Sequence, residues 1–209
     1  MSVPISGKVI KRLTLYHHIL SDCLLKAKEY ISSQQIAELL KIDDSQVRKD
    51  IALCAASGKT NVGYNAPELK KAIEQLLGFQ AQKAAFILGA GNLGSALAKH
   101  ADFADYGLDI AALFDIDPAK IDRLINGKKI YPLSELHHVA THEQLVNKRR
   151  VEIAILTVPA SAAQKSAELL VQAQIKYIWN FTPTILSVPD SVRVCNENLV
   201  GNFLEFTNN

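Results

Sequence analysis

Residues 84–94 read Ala-Ala-Phe-Ile-Leu-Gly-Ala-Gly-Asn-Leu-Gly, and no other stretch narrows the fold as far. A continuous apolar run of strand length suits a parallel strand covered on both faces. The three glycines follow at once, and helical spacing resumes over 93–100. A bare G-x-G-x-x-G is weak, because glycine turns are common. Here the next apolar run, 108–114, closes on Asp115 about twenty residues further on, which is the spacing that dinucleotide binding requires. Gly89 permits the tight turn, Gly91 lets a pyrophosphate approach the backbone, and Gly94 lets the helix lie close to the sheet. Ala90, Asn92 and Leu93 complete the turn, whose unpaired amides face the phosphates. Asp115 is expected to accept hydrogen bonds from the adenosine ribose. Its charge repels the extra phosphate of NADP, no arginine follows directly, and Lys120 lies too far along to offset it, so NAD(H) is the expected cofactor.

The pattern beyond the turn supports the same architecture. A helix around 134–147, a strand over 151–158, a helix over 162–173 and a strand over 177–179 alternate, as in a parallel doubly wound Rossmann sheet. Two loops, Thr157-Val158-Pro159-Ala160 and Asn180-Phe181-Thr182-Pro183, then fall at the carboxyl edge, where ligands bind. They are candidates to flank the nicotinamide, although each also suits an ordinary proline turn.

The first eighty residues follow another period. Val9, Leu13, Tyr16, Ile19, Leu20, Leu24 and Ala27 form one stripe of a helix over 8–28. Ser32 and Gln35 then make a capping box for a short second helix carrying Ile36, Leu39 and Leu40. Asp43 or Asp44 caps a third, in which Val47, Ile51 and Cys54 recur every three or four residues. Two short helices joined this tightly have the proportions of a helix-turn-helix. Glycines 58 and 63 flank a short polar and β-branched stretch that suggests a hairpin or wing. Asn65-Ala66-Pro67 starts a fourth helix and Gly78 ends it. The chain is therefore expected to be α/β, with a winged-helix DNA-binding domain over 1–80 and a Rossmann NAD(H)-binding domain over 81–209.

Charge and cysteines add bounds. A net charge of +2 does not by itself announce a nucleic-acid partner. Its distribution says more, since residues 1–80 hold 11 basic against 8 acidic side chains and the remainder 12 against 13. Ser45, Gln46, Arg48 and Lys49 sit near the start of the third helix and Lys59 in the wing. Gln46 and Arg48 are the base-edge candidates, and Ser45, Lys49 and Lys59 the phosphate candidates. A solvated helix face accounts for any one of these equally well. The three cysteines, Cys23, Cys54 and Cys195, are odd in number and lack a C-x-x-C spacing, so buried inert thiols are expected rather than disulfides or zinc. With no apolar run of membrane length and no leader, a cytoplasmic protein with no membrane contact is expected.

Catalytic candidates are thin. His137, His138 and His142 fall on a polar helix without the glutamate of H-E-x-x-H, and a solvated face explains them, so no metal is assigned. Of the histidines only His100, at the end of the helix after the glycine turn, falls beside the expected cofactor. With eighty residues in a winged helix, no separate substrate domain fits. The nucleotide is better read as a signal than as a reagent, and no catalytic residue is assigned.

In combination these segments resemble the Rex family of redox-sensing transcriptional repressors along nearly the whole chain. The resemblance rests on Lys11-Arg12-Leu13, Ser32-Ser33, Gln46-Val47-Arg48-Lys49-Asp50, Gly58-Lys59, Val62-Gly63-Tyr64-Asn65, residues 89–94, Phe114-Asp115-Ile116-Asp117, 155–160 and 180–183. It implies a homodimer that binds double-stranded operator DNA and releases it when NADH rises relative to NAD⁺. Departures are also visible. The family's Ser-Tyr-Phe-Gly stretch before the wing is replaced by Ala52-Leu53-Cys54-Ala55-Ala56-Ser57, and the second basic residue of the wing by Thr60-Asn61. An aromatic hydroxyl and an acidic residue that cooperate with Arg12 in the family correspond to His100 and Asn198, which implies that Arg12 loses a carboxylate partner. The segment 198–206 is expected to form a short dimerising helix weakened by Gly201, on a carboxyl end that looks clipped. A small NAD-dependent oxidoreductase whose amino-terminal helices only dimerise, and a CoA- or nucleotide-binding module that has lost DNA binding, remain the alternatives.

Overall fold

Caps set where the amino-terminal helices begin. In the computed structural model, which describes residues 5–60 and 62–208, Ser6 opens α1 (Gly7–Leu25), and the helix stops short of Ala27, whose φ is +53°. Ser32 and Gln35 form the reciprocal capping box of α2 (Ser33–Leu40). Asp43 rather than Asp44 caps α3 (Asp44–Ala52), accepting from Ser45 N at 2.8 Å. Asn65 caps α4 (Ala66–Leu77), with proline in the first turn and Gly78 at φ +72° closing it. Of the stripes predicted from spacing, Leu13, Tyr16, Leu20, Ile36, Val47, Ile51, Leu69 and Ile73 pack into one core, whereas Leu24, Ala27 and Leu39 are exposed. Between α1 and α2 lies a two-residue strand, β1 (Tyr30–Ile31), which pairs antiparallel with β2 (Tyr64–Asn65). The wing turns back where Lys59 and Gly63 bridge, and Gly63 is obligatory there: at φ +103° a Cβ would lie 2.5 Å from Ile31 O. Asn61 of the predicted wing lies outside the described residues.

The chain divides into two units, Met1–Ala81 and Gln82–Asn209. The second unit is a seven-stranded sheet among the described residues. Its order is β5 (Leu124–Ile125), β6 (Lys128–Pro132), β4 (Leu108–Asp115), β3 (Lys83–Leu88), β7 (Val151–Leu156), β8 (Tyr177–Asn180) and β9 (Arg193–Asn196). All pairs are parallel except β5–β6. The helices are α5 (Asn92–Ala98), α6 (Asp102–Asp105), α7 (Leu136–Leu145), α8 (Ala160–Gln172) and α9 (Leu199–Asn208). Phe86 and Leu88 pack into one layer with Phe114, Ala163, Ala167 and Leu170, while Ala85 and Ile87 join Ile110, Leu113 and Ile155 in the other. This two-sided burial explains the unbroken apolar run of β3. Strands after β3 are added first on one side, β4 and β6, and then on the other, β7 to β9, so the carboxyl ends of β3 and β7 form the switch point of the doubly wound sheet.

Several expectations change in detail. Strands β6 and β9 had no apolar signal. Cys54 lies past the end of α3, not within it. Cys23 and Cys54 are buried but Cys195 is exposed on an edge strand, so the expectation of three buried thiols fails for Cys195. No helix among the described residues is long and apolar enough to cross a membrane.

Candidate functional site

The glycine turn is held from both sides. Gly89 N donates to Phe114 O at 2.8 Å, Thr157 N donates to Leu88 O at 2.8 Å, and Thr157 Oγ1 donates to Gly89 O at 2.8 Å. Gly89 has φ +98°, and a Cβ there would meet Thr157 O at 2.7 Å. A Cβ at Gly94 would lie 1.9 Å from Gly89 O, so only glycine lets α5 approach the end of β3 so closely. Gly91 differs: a Cβ there would meet nothing within 4 Å. It faces the open side of the turn, where α5 starts with no side-chain cap.

Asp115 closes β4 beside this turn. Its Oδ2 accepts from Ala90 N at 2.8 Å and from Lys120 Nζ at 3.0 Å, and its Oδ1 accepts from Ile116 N at 2.8 Å and Asp117 N at 2.9 Å. Burial pushes the carboxyl up, but the bonds from Asp117 N, Lys120 and Ala90 N outweigh it and hold Asp115 below the usual aspartate range. Lys120 is thus part of the site, contrary to expectation. The Asp117-Pro118 turn folds the chain back, with Lys120 N donating to Asp117 O at 3.0 Å, and so covers a distance that sequence separation overstated. Both Asp115 oxygens are thus doubly engaged, and Lys120 Nζ also lies 3.8 Å from Asp117 Oδ2.

A cleft of about 530 Å³ opens over this edge. Of the predicted residues, Gly89, Gly91, Asp115, Thr157, Val158 and Pro159 line it. Leu88, Phe114, Leu133 and Val158 give it apolar walls, while Lys120 and Ser166, which the sequence did not point to, add polar ones. An apolar slot with a few convergent polar groups is the form of a nucleotide pocket. Open space over Gly91, an uncapped helix start and an anionic Asp115 fit an adenosine diphosphate group. Ala90, Asn92, Leu93 and Gly94 shape the turn without lining the cleft.

The second predicted loop is placed elsewhere. Asn180 is fully buried and spends its amide on the fold, donating to Thr184 O at 2.9 Å and Asn196 Oδ1 at 2.8 Å and accepting from Thr182 N and Oγ1 at 3.0 and 2.7 Å. Thr182 is buried and Pro183 exposed. Phe181 packs on Trp179, with ring centroids 5.0 Å apart. His100 is exposed and stacks on Phe103 at 4.9 Å, and Phe103 in turn meets Trp179. These residues form an aromatic ladder rather than cleft wall.

In the amino-terminal unit, Ser45, Arg48 and Lys49 are exposed along α3, with Arg48 paired to Asp44 one turn back. Lys59 lies in the wing, its Nζ donating to Tyr30 Oη at 3.2 Å. Gln46 is half-buried, its Nε2 donating to Asp50 Oδ1 at 2.9 Å. Asp50 also receives Arg12 Nε at 2.6 Å and Nη2 at 2.9 Å, and Tyr16 Oη at 2.9 Å. Arg12 therefore has a charge-assisted carboxylate partner within its own unit. Burial pushes Asp50 up, but Arg12, Tyr16 and Gln46 bring it below the ordinary aspartate value. Desolvation raises Cys54 to about 11, so that thiol stays protonated. Asn198 turns inward over the start of α9, its Oδ1 accepting from Gly201 N at 2.8 Å. A Cβ at Gly201 would lie 2.3 Å from the Asn198 amide, so this glycine admits the cap.

The chain is similar to known proteins over nearly its full length. The family described as "CoA binding domain" matches residues 80–184, and that described as "Putative DNA-binding protein N-terminus" matches residues 4–52. Redox-sensing transcriptional repressor Rex of Treponema denticola is 42% identical, covering 91% of this chain and 88% of that protein. The protein of the same name from Carboxydothermus hydrogenoformans is 38% identical over 96% and 93%. Among solved structures, RSP in complex with β-NAD⁺ and operator DNA superposes with a TM-score of 0.85 at 32% identity, covering 98% of this chain and 92% of that one. RSP in complex with β-NADH gives 0.83, also at 32% identity, over 98% and 93%.

Proposed function

Because the chain belongs to the Rex family of redox-sensing transcriptional repressors, we propose that its cleft residues hold NAD(H) and its α3 and wing residues hold operator DNA. The protein is a DNA-binding regulator that responds to NAD(H) and not an enzyme. The observation that carries the site assignment is the switch-point cleft. An adenosine diphosphate group fits it with the pyrophosphate over Gly91 and the base between the apolar walls. Asp115 and Lys120 meet the ribose, and Thr157, Val158 and Pro159 border the way toward the nicotinamide. On the other unit, Ser45, Lys49 and Lys59 supply phosphate contacts, and Gln46 and Arg48 face base edges. The domain division falls near residues 80–81, and the protein works in the cytoplasm, where its operator is.

A homodimer follows from α9. Leu199, Val200, Phe203, Leu204 and Phe206 are between 50% and 85% exposed and none of the helix is buried, an apolar face that a second copy covers. Two copies present two recognition helices to successive major grooves.

Bound nucleotide supplies a ring whose charge and planarity depend on its oxidation state. The protein's part is to bind the two forms with different affinity in its two arrangements, and so to shift DNA affinity. The test is an operator-binding titration with NADH and, separately, NAD⁺. NADH is expected to release DNA while NAD⁺ does not, and equal effects of the two would reject the redox response. Calorimetry in which CoA binds and neither nicotinamide form does would favour the nucleotide-module alternative, and hydride transfer to a carbonyl or alcohol the enzyme.

A further inference from the structure

Asp50 is an unusual residue for the buried side of a recognition helix, in its last turn. Its side chain is 2% exposed and sits among the apolar positions Val47 and Ile51. Both oxygens are doubly engaged: Oδ2 by Arg12 Nε and Tyr16 Oη, Oδ1 by Arg12 Nη2 and Gln46 Nε2. Arg12 and Tyr16 both come from α1, so the carboxylate is fixed by a neighbouring helix and not by α3 alone. An ionised carboxylate only accepts hydrogen bonds. The nitrogen end of the Gln46 amide can therefore face it, while the oxygen end would set two acceptors against each other in a buried place. Gln46 Oε1 is left free of side-chain partners among the described residues, together with the second N–H.

We propose that Asp50 is a positioning residue that locks the amide of Gln46 with its carbonyl oxygen turned out from α3, making Gln46 a reader of an exocyclic base amine. In the major groove such donors are adenine N6 and cytosine N4, whereas guanine N7 and O6 and thymine O4 are acceptors. With its remaining N–H available for adenine N7, Gln46 suits adenine best. The inference rests on the proposal that α3 faces operator DNA, and it adds which base edge one side chain takes and what sets that choice. A glutamine without the buried carboxylate turns its amide either way and tolerates acceptor edges.

The test is selection from a randomised DNA duplex by the full-length protein, followed by affinity measurements on single-base variants of the selected duplex. Wild type is expected to choose adenine or cytosine at one position of each half-site. Gln46→Ala should reduce discrimination at that position by about tenfold and leave the others intact. Asp50→Asn offers Gln46 either a donor or an acceptor. It should relax the same position to a similar extent, admitting guanine or thymine, while the remaining preferences persist; a purely structural role would lower affinity for all sequences equally. An unchanged selection by Gln46→Ala removes the base contact itself and overturns the inference through the reading it stands on. Relaxation by Gln46→Ala with full discrimination kept by Asp50→Asn overturns the orienting role alone, as does a guanine or thymine at the Gln46 position in wild type. Should Asp50→Asn not fold, as judged by circular dichroism, nuclear magnetic resonance on wild type decides the matter. One Gln46 Nε2 proton is expected to be protected from solvent exchange, and two protons exchanging at the rate of an exposed glutamine overturn the lock.

Discussion

Gly91 and Gly94 are glycines for opposite reasons, and the difference is measurable. At Gly94 the space is already filled by protein, so Gly94→Ala forces α5 off β3. It should cost about 1–3 kcal/mol or more in thermal unfolding as well as nucleotide binding. At Gly91 the backbone is extended with negative φ and the space is empty. Gly91→Ala should leave the melting temperature unchanged and weaken NADH by roughly tenfold or more in calorimetry, because the methyl stands where the pyrophosphate approaches. Equal affinities for wild type and Gly91→Ala would show that the phosphates lie elsewhere. Asp50 gives a prediction in pH. Its folded pKa lies below the ordinary 3.8, so its stabilisation is fully present above that value and is lost as pH falls toward the folded one. Asp50→Asn should cost roughly 2–3 kcal/mol in urea unfolding near pH 6, discounted from the usual loss for a buried pair because Arg12 is a quarter exposed. That difference should shrink as pH falls from 3.8 toward the lower folded value, where the folded carboxyl also takes up a proton and comes to resemble the amide. A difference that stays constant with pH would mean that the ion pair contributes nothing.

Elements were legible where burial repeats along the chain. Strand β3 announced itself because every residue after Lys83 is buried, and α4 because cap, proline, apolar stripe and terminal glycine agree. Strands β6 and β9 escaped because they carry Lys128-Lys129 and Arg193, and exposed Cys195 and Asn196, on strands with little buried surface. Their existence is decided by the backbone edges that β4 and β8 offer them, which no local period encodes. Helix α9 is the reverse case, strongly apolar in sequence yet without buried residues in one copy. Replacing Phe203 by Glu should convert dimer to monomer in sedimentation at micromolar concentration while circular dichroism stays unchanged, since that ring is 62% exposed and belongs to no core among the described residues. A dimer that survives Phe203→Glu would place the interface elsewhere.

For the molecule as a whole, redox response requires only that the two nicotinamide forms differ in their preference between two arrangements of the dimer. A coupling of about 1–3 kcal/mol changes operator affinity by roughly 5–150-fold, and linkage obliges DNA to change the preference between NADH and NAD⁺ by the same factor. That range is the size of effect the operator titration must resolve. What the amino-acid sequence determined alone was local: caps two or three residues from their partners, a glycine turn at the end of a buried strand, and two different periods on either side of residue 80. These rest on interactions within a turn or along a strand, so residue types and spacing suffice. Tertiary structure alone decided that Asp50 meets Arg12 across thirty-eight positions, that the amide of Asn180 is spent on its own turn and on Asn196, and that Lys120 folds back on Asp115. Each of these depends on where packing brings a side chain's end, and a polar group takes whichever partner the surrounding elements leave within about 3 Å.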